Sequence, residues 1–264
     1  MKLAKKNILK IPVLITFIGL LLVIVFNNPF KSNNNEHQVN PPDFNQFSDV
    51  KEKKTAFFDY MLPFIEKANS EILNERQQIQ NSNFTNPSSK EQTQLRALMN
   101  KYRINDTDIT PATQQKLLQK VDIIPPSLAL AQAANESSWG TSRFAKQAYN
   151  FYGQWCFTEG CGLVPKNRSA GLKHEVKTFQ SPYESVKGYM HNLNSHPYFK
   201  ALREQRLLAR QNNQPPTGLA LAKGLIRYSE RKEEYIKEIS AMIRSNKLDT
   251  LDNTLHNVTG DINS

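Results

Sequence analysis

The chain has 264 residues, 39% of them hydrophobic, only 10 glycines, and a formal net charge of +10. That hydrophobic share supports a globular core and excludes a polytopic membrane protein, while scarce glycine favours helices over a Gly-rich β architecture. Four of the positive charges (Lys2, Lys5, Lys6, Lys10) lie in the first ten residues, so the body is only mildly basic, and no zinc-finger spacing, aromatic RNA-binding signature or lysine-rich recognition helix points to nucleic acid.

Ile8 to Phe26 is nearly continuous apolar sequence, interrupted by Lys10, Pro12, Thr16 and Gly19. At ~1.5 Å per residue the run just spans a ~30 Å hydrocarbon core. Asn27-Asn28-Pro29 offers no small-x-small cleavage pattern, so residues 1–26 read as an uncleaved signal anchor, with a removed signal peptide as the alternative. The preceding lysines stay cytoplasmic, which places the rest of the chain outside the cytosol. Residues 27–50, Asn-rich and carrying Pro41-Pro42, read as a flexible tether.

A helical N-terminal region follows over residues 51–122. Phe57, Phe58, Met61, Leu62, Ile65, Ile72 and Ile79 recur at helical steps from Lys51 to about Gln80. A Ser/Asn/Pro-rich break precedes a second helix to Tyr102 (Leu95, Leu98, Met99). Thr110-Pro111 opens a third, to about Val121. Ile123-Ile124-Pro125-Pro126 then separates these from a helix running from Ser127 to Trp139, with Gly140 as its C′ residue. A short helix covers Ser142–Gln147. Residues 151–179 change character, with Gly153, Gly160, Gly162 and Gly171, and a short β-like run from His174 to Phe179. Helices return at Ser181-Pro182, where Glu184 caps the opening. They continue as Tyr189–Leu193, Pro197–Leu208, Gly218–Leu225 and Glu230–Ile243. Residues 247–264 read as a loose polar tail, and the fold class as mainly α (α+β).

Cys156 and Cys161 bracket four residues including a glycine, a spacing that permits a disulfide around a small loop in an oxidising compartment. A metal site would need further ligands. The five histidines show no metal-helix spacing, His191 and His196 being five apart, so no metal is expected, and no nucleotide or flavin is implied.

The chemistry concentrates around Glu136. Ala129, Gln132, Ala133 and Trp139 surround it at helical spacing, and it sits in the last turn, at the negative end of the helix dipole. Apolar burial and that dipole both raise a carboxyl pKa, and a carboxylic acid still protonated near neutrality is what a glycosidic leaving group requires. By itself, a Glu in an Ala-rich helix reads first as an ordinary surface acid. The next segment, Tyr149-Asn150-Phe151-Tyr152-Gly153-Gln154-Trp155, supplies aromatic platforms and amide donors of the kind sugars need. Phe151 reads as core. Asn150, Tyr152, Gln154 and Trp155 are the substrate-binding candidates, with core packing as their alternative.

Ser127–Gly140, Asn150–Gly162, His191–Pro197 and Tyr228–Arg231, with Ala56–Ile65 upstream, together resemble the glucosaminidase group of peptidoglycan hydrolases (glycoside hydrolase family 73). The family's helix ending in Ala-Ala-x-Glu-Ser-x-Trp-Gly matches Ala133–Gly140 at every fixed position. The resemblance covers about residues 51–246. It implies a lysozyme-like catalytic domain at 123–246 with a small β-lobe, Glu136 as the acid, and Tyr228 lining the cleft opposite it. Asn150–Gly153 matches the family's Asn-x-Phe-Gly turn, with Tyr152 in place of the usual Phe. For a second catalytic carboxylate, Glu175 is the first candidate and Glu159 the second; the acetamido group of an N-acetylated sugar is the alternative nucleophile. The activity so implied is endo-acting N-acetylglucosaminidase on β-1,4 bonds of peptidoglycan, by a monomer whose partners are glycan strands and, through its anchor, the membrane. A lytic transglycosylase and a catalytically silent wall-binding module are the competing readings. The first lacks its usual Gly-Leu-Met-Gln segment here, and the intact Glu136 motif argues against the second.

Overall fold

The structure, a computed structural model, describes residues 40–169 and 171–253. The expected anchor at 1–26, most of the tether and the end of the tail lie outside these residues. Among the described residues, no helix is long and apolar enough to cross a membrane.

Helix α1 (Val50–Asn81) starts at Asp49, whose side chain accepts the Glu52 N–H, and it buries Phe57, Met61, Phe64, Ile65, Ile72 and Ile79 on one face. Helix α2 (Ser89–Lys101) opens with a capping box between Ser88 and Glu91, and α3 (Pro111–Lys120) with a Thr110 cap and Pro at N1. Helix α4 (Pro126–Ser137) follows and is buried on nearly all sides. It has no side-chain cap of its own, because Pro125 occupies the cap position. Asp252 supplies the cap from the far end of the chain. It accepts from Ser127 N–H (3.0 Å) and Ser127 Oγ (2.7 Å), and also from Gly218 N–H (2.8 Å).

The tail is therefore not loose throughout. Leu248–Asn253 form a 3-10 turn whose Leu248 and Asp252 are buried. The tether departs from expectation in the same way. Phe44 is fully buried against Phe57 and Tyr60, so the segment packs once its aromatic ring finds a core.

Helix α5 (Arg143–Ala148) leads into a three-stranded antiparallel sheet of very short strands: β1 (Trp155–Cys156), β2 (Gly162–Leu163) and β3 (Glu175–Lys177), in the order β1-β3-β2. Trp155 pairs with Val176 and Leu163 with Val176 from the other side. A Cβ at Gly162 would come within 2.0 Å of the Val176 carbonyl oxygen, so glycine is required there. The sheet is much smaller than the apolar core and is tied by Cys156–Cys161, with Cα atoms 6.2 Å apart.

Helix α6 is one continuous element, Pro182–Ser195, opening at the expected Ser181-Pro182 and running through Tyr189–Leu193. A 3-10 turn (Pro197–Phe199), α7 (Lys200–Gln211), α8 (Gly218–Ala222) and α9 (Glu233–Ser245) complete the body. Residues 51–122 and 123–246, separated by their sequence character, share a single compact unit and one hydrophobic core. Asn69 on α1 clamps the link before α4, donating to the Ile124 carbonyl (2.8 Å) and accepting its N–H (3.0 Å). Arg206, fully buried on α7, donates to the carbonyls of Gln119 and Lys120 at the end of α3 and of Asp122 and Ile123 in the link that follows. The architecture is mainly helical with a small β-lobe.

Candidate active site

Glu136 is the penultimate residue of α4. The helix then breaks in a way that Gly140 alone does not explain: Ser138 (φ 52°), Trp139 (φ 59°) and Gly140 (φ 75°) are left-handed in succession. Two non-glycine residues in that region carry backbone strain, which persists only where surroundings over-determine it. Here they do. Trp139 N–H returns to the Ala134 carbonyl (2.8 Å), and Gly140 N–H donates to Ser137 Oγ (2.8 Å). The Trp139 ring meets Phe57 and Phe58 edge-on at 5.8 and 5.3 Å, and a Cβ at Gly140 would strike the Phe44 ring at 2.4 Å. Trp139 thus anchors the strained turn to the N-terminal region.

Glu136 is half-buried. Its Oε1 accepts from the Tyr235 hydroxyl of α9 (2.8 Å) and, at 3.4 Å, from Asn135 Nδ2. Its Oε2 faces the turn before β1: a Cβ at Gly153 would lie 3.6 Å from it. The Tyr235 hydroxyl in turn accepts from Gln132 Nε2 (2.9 Å), and Gln132 Oε1 accepts from the Tyr189 hydroxyl of α6 (2.6 Å). Arg231 and Glu238, paired at 2.6 Å, are the charged groups nearby. Burial raises the Glu136 pKa above the ordinary carboxylate value. The hydrogen bonds from Tyr235 and Asn135 and the charge of Arg231 oppose that shift, Glu238 adds to it, and burial prevails.

The other candidates divide sharply. Tyr228 lies beside the acid's partner: its ring stacks on Tyr235 at 5.3 Å, and its hydroxyl donates to the Tyr152 carbonyl (3.2 Å). Asn150 is buried and builds the turn, donating to the Gln154 and Lys177 carbonyls and accepting Gln154 N–H. Tyr152 is buried face to face on Tyr189 (3.9 Å). Gln154 donates to the Ser185 carbonyl of α6 (2.9 Å). Of the four expected sugar-binding side chains, Trp155 alone stands out in solvent, 59% exposed and stacked on His174 at 4.2 Å.

Glu175 sits in β3 with its carboxylate occupied. Oε1 accepts Gly160 N–H (3.1 Å) and Oε2 accepts Gly162 N–H (2.8 Å). Those backbone hydrogen bonds hold its pKa below the usual value. It fastens the disulfide loop, and the sulfur atoms close to it are spent in the Cys156–Cys161 bond rather than free to hold a metal. Glu159 is exposed on that loop.

Sequence reasoning passed over Tyr235 and Tyr189 and took Gln132 for a mere neighbour. A signal did exist for Gln132: a lone amide in an Ala/Leu helix, four residues before Glu136 and therefore on its face. The tyrosines arrive from two other helices, and only tertiary packing brings them there.

Comparison with known proteins gives the family. A family model described as Glucosaminidase (mannosyl-glycoprotein endo-beta-N-acetylglucosaminidase) matches residues 111–248. The Escherichia coli (strain K12) "Protein bax" is 30% identical over 218 residues, covering 82% of this chain and 78% of that relative. No solved structure matches. The chain belongs to the glucosaminidase family, as a Bax-like member and a glycoside hydrolase of the endo-β-N-acetylglucosaminidase type.

Proposed function

We propose that this enzyme cuts inside peptidoglycan glycan strands, hydrolysing the β-1,4 bond that follows N-acetylglucosamine, with Glu136 as the proton donor. One observation carries the reading: a half-buried carboxyl with its pKa raised by burial, one oxygen held by Tyr235 and the other turned to Gly153. Such a group keeps its proton further toward neutrality than an exposed glutamate. It gives that proton to the glycosidic oxygen as the bond to the anomeric carbon breaks. Water then adds to that carbon and returns a proton to the carboxylate.

The engagement of both Glu175 oxygens by loop amides favours the substrate's own acetamido oxygen, rather than a second carboxylate, as the group that first meets the anomeric carbon. Trp155 offers the exposed ring on which a sugar can stack. The lysine-led apolar run at 1–26 supports anchoring in a bacterial inner membrane with the enzyme in the periplasm.

Product analysis on purified wall tests the reading. New reducing N-acetylglucosamine ends are expected. Anhydro-muramyl ends would replace it with a lytic transglycosylase, and no products at all would leave a binding module.

A further inference from the structure

Tyr189, Gln132, Tyr235 and Glu136 form a chain of hydrogen bonds in which every link has a direction. The Tyr189 hydroxyl donates to Gln132 Oε1, Gln132 Nε2 donates to Tyr235, and Tyr235 donates to Glu136 Oε1. The opposite polarity is chemically conceivable: a proton on Glu136 Oε1 would donate to Tyr235, Tyr235 to a flipped Gln132, and Gln132 to Tyr189. That arrangement would strand the Tyr189 O–H. Tyr189 is 1% exposed, and among the described residues its hydroxyl has Gln132 Oε1 as its acceptor. A buried hydroxyl without an acceptor costs about 1–3 kcal/mol, so burial of Tyr189 sets the polarity of the whole chain.

We infer that this one-way chain keeps Glu136 Oε1 permanently an acceptor and confines the transferable proton to Oε2, the oxygen facing Gly153, with Gln132 and Tyr189 as positioning residues. The inference rests on Glu136 being the proton donor and specifies which of its atoms delivers. The proton leaves Oε2 for the glycosidic oxygen, and the carboxylate that remains keeps its Tyr235 hydrogen bond on Oε1 without rearrangement. Gly153 then has a reason to be glycine beyond its φ of +63°, since a Cβ 3.6 Å from Oε2 would occupy the space the leaving oxygen needs. The groups facing the carboxyl are Tyr189 from α6, Tyr228 and Arg231 ahead of α9, and Tyr235 and Glu238 on α9. In this set the chain's donors reach Oε1 through Tyr235.

The test is the pH dependence of wall hydrolysis by the full chain carrying Tyr189→Phe, Gln132→Met, or both. Losing the donor upstream weakens Tyr235's hydrogen bond to the carboxylate and frees the proton to sit on either oxygen. Each single variant should lower kcat about three- to tenfold, the span of one hydrogen bond, with KM little changed. The alkaline limb of the profile should move to higher pH. The double variant should be no worse than the poorer single one, because both act through one chain. Equal losses at every pH with an unmoved limb, or losses that multiply in the double variant, would overturn the inference. Glu136→Gln is the separate arm: if it stays active, the proton-donor reading itself is wrong, whereas an inactive Glu136→Gln beside unshifted Tyr189 and Gln132 variants removes only the positioning chain.

Discussion

Two carboxylates only fourteen positions apart, Asp122 just ahead of α4 and Glu136 near its other end, are both taken out of water and are driven in opposite directions. For Asp122, at 2% exposure, burial favours the neutral acid. Yet Arg210 grips both its oxygens (2.8 and 3.0 Å), Arg76 stands 3.7 Å away, and Arg206 adds its charge, so its pKa falls below the ordinary value. Around Glu136, neutral hydroxyl and amide groups take the place of the arginines. Arg231, the cation that faces it, is exposed and already paired with Glu238. The first carboxylate is locked as an anion and fastens α1, α3 and α7 to the start of α4. The second is left able to hold a proton. Burial is common to both, and the neighbouring cations decide between architecture and chemistry.

The comparison breaks first at Glu136. Glu136→Gln keeps the shape and the Tyr235 contact but cannot donate an acidic proton, so hydrolysis should fall by about 10²–10⁴-fold, the usual share of a general acid. The folded structure, followed by circular dichroism, should be unchanged. Asp122→Asn should do the reverse. Removing one member of a buried ion cluster costs about 3–5 kcal/mol, read as a lower urea midpoint, while kcat per folded molecule stays close to that of the unmodified enzyme. Acid should mimic this second change. Because the folded pKa of Asp122 lies below its unfolded value, its contribution is complete above the unfolded pKa and is lost as pH falls through the folded one.

A smaller effect sharpens the contrast between the helix end and the β-lobe. Trp155→Ala removes an exposed ring, so urea stability should move little. Loss of a stacking surface worth about 1 kcal/mol should raise KM about fivefold. An unchanged KM would remove Trp155 from the sugar-binding surface.

The contrast also explains what was legible in the residues alone. The mainly helical class, the helix starts near Ser89 and at Thr110 and Ser181, and the Cys156–Cys161 loop depend on local chemistry, and the structure has them where the spacing put them. Glu136 was conspicuous because its burial follows from its own helix. Asp252 capping α4 from 125 residues away, Phe44 packing under Gly140, and Tyr235 and Tyr189 converging through Gln132 are products of tertiary packing, which periodicity does not encode. The aromatic run at 149–155 misled for a related reason. Aromatic and amide side chains are equally at home in a cleft and in a core, and the β-lobe is so small that Asn150 is taken up in closing its turn onto β3 while Tyr152 and Gln154 attach it to α6.

The subtlest consequence concerns stability at the site itself. A carboxyl whose pKa rises on folding favours the folded state fully below its unfolded pKa, and that advantage is lost as pH climbs through the raised folded value. Above the unfolded pKa, the raised pKa of Glu136 is therefore a cost to the fold. Glu136→Gln removes the ionisation and should raise Tm at pH 7, by about 2–4 °C for each kcal/mol recovered in a chain of this size. The gain should shrink as the medium is acidified and disappear below about pH 4, where the glutamate is protonated folded or unfolded. The inactive variant would then be the sturdier protein only in the pH range where the acid works against its own burial. A stability gap of constant size across pH would mean that the substituted glutamine merely packs better. A gap that closes in acid ties the stability lost at Glu136 to the same burial that makes it a proton donor.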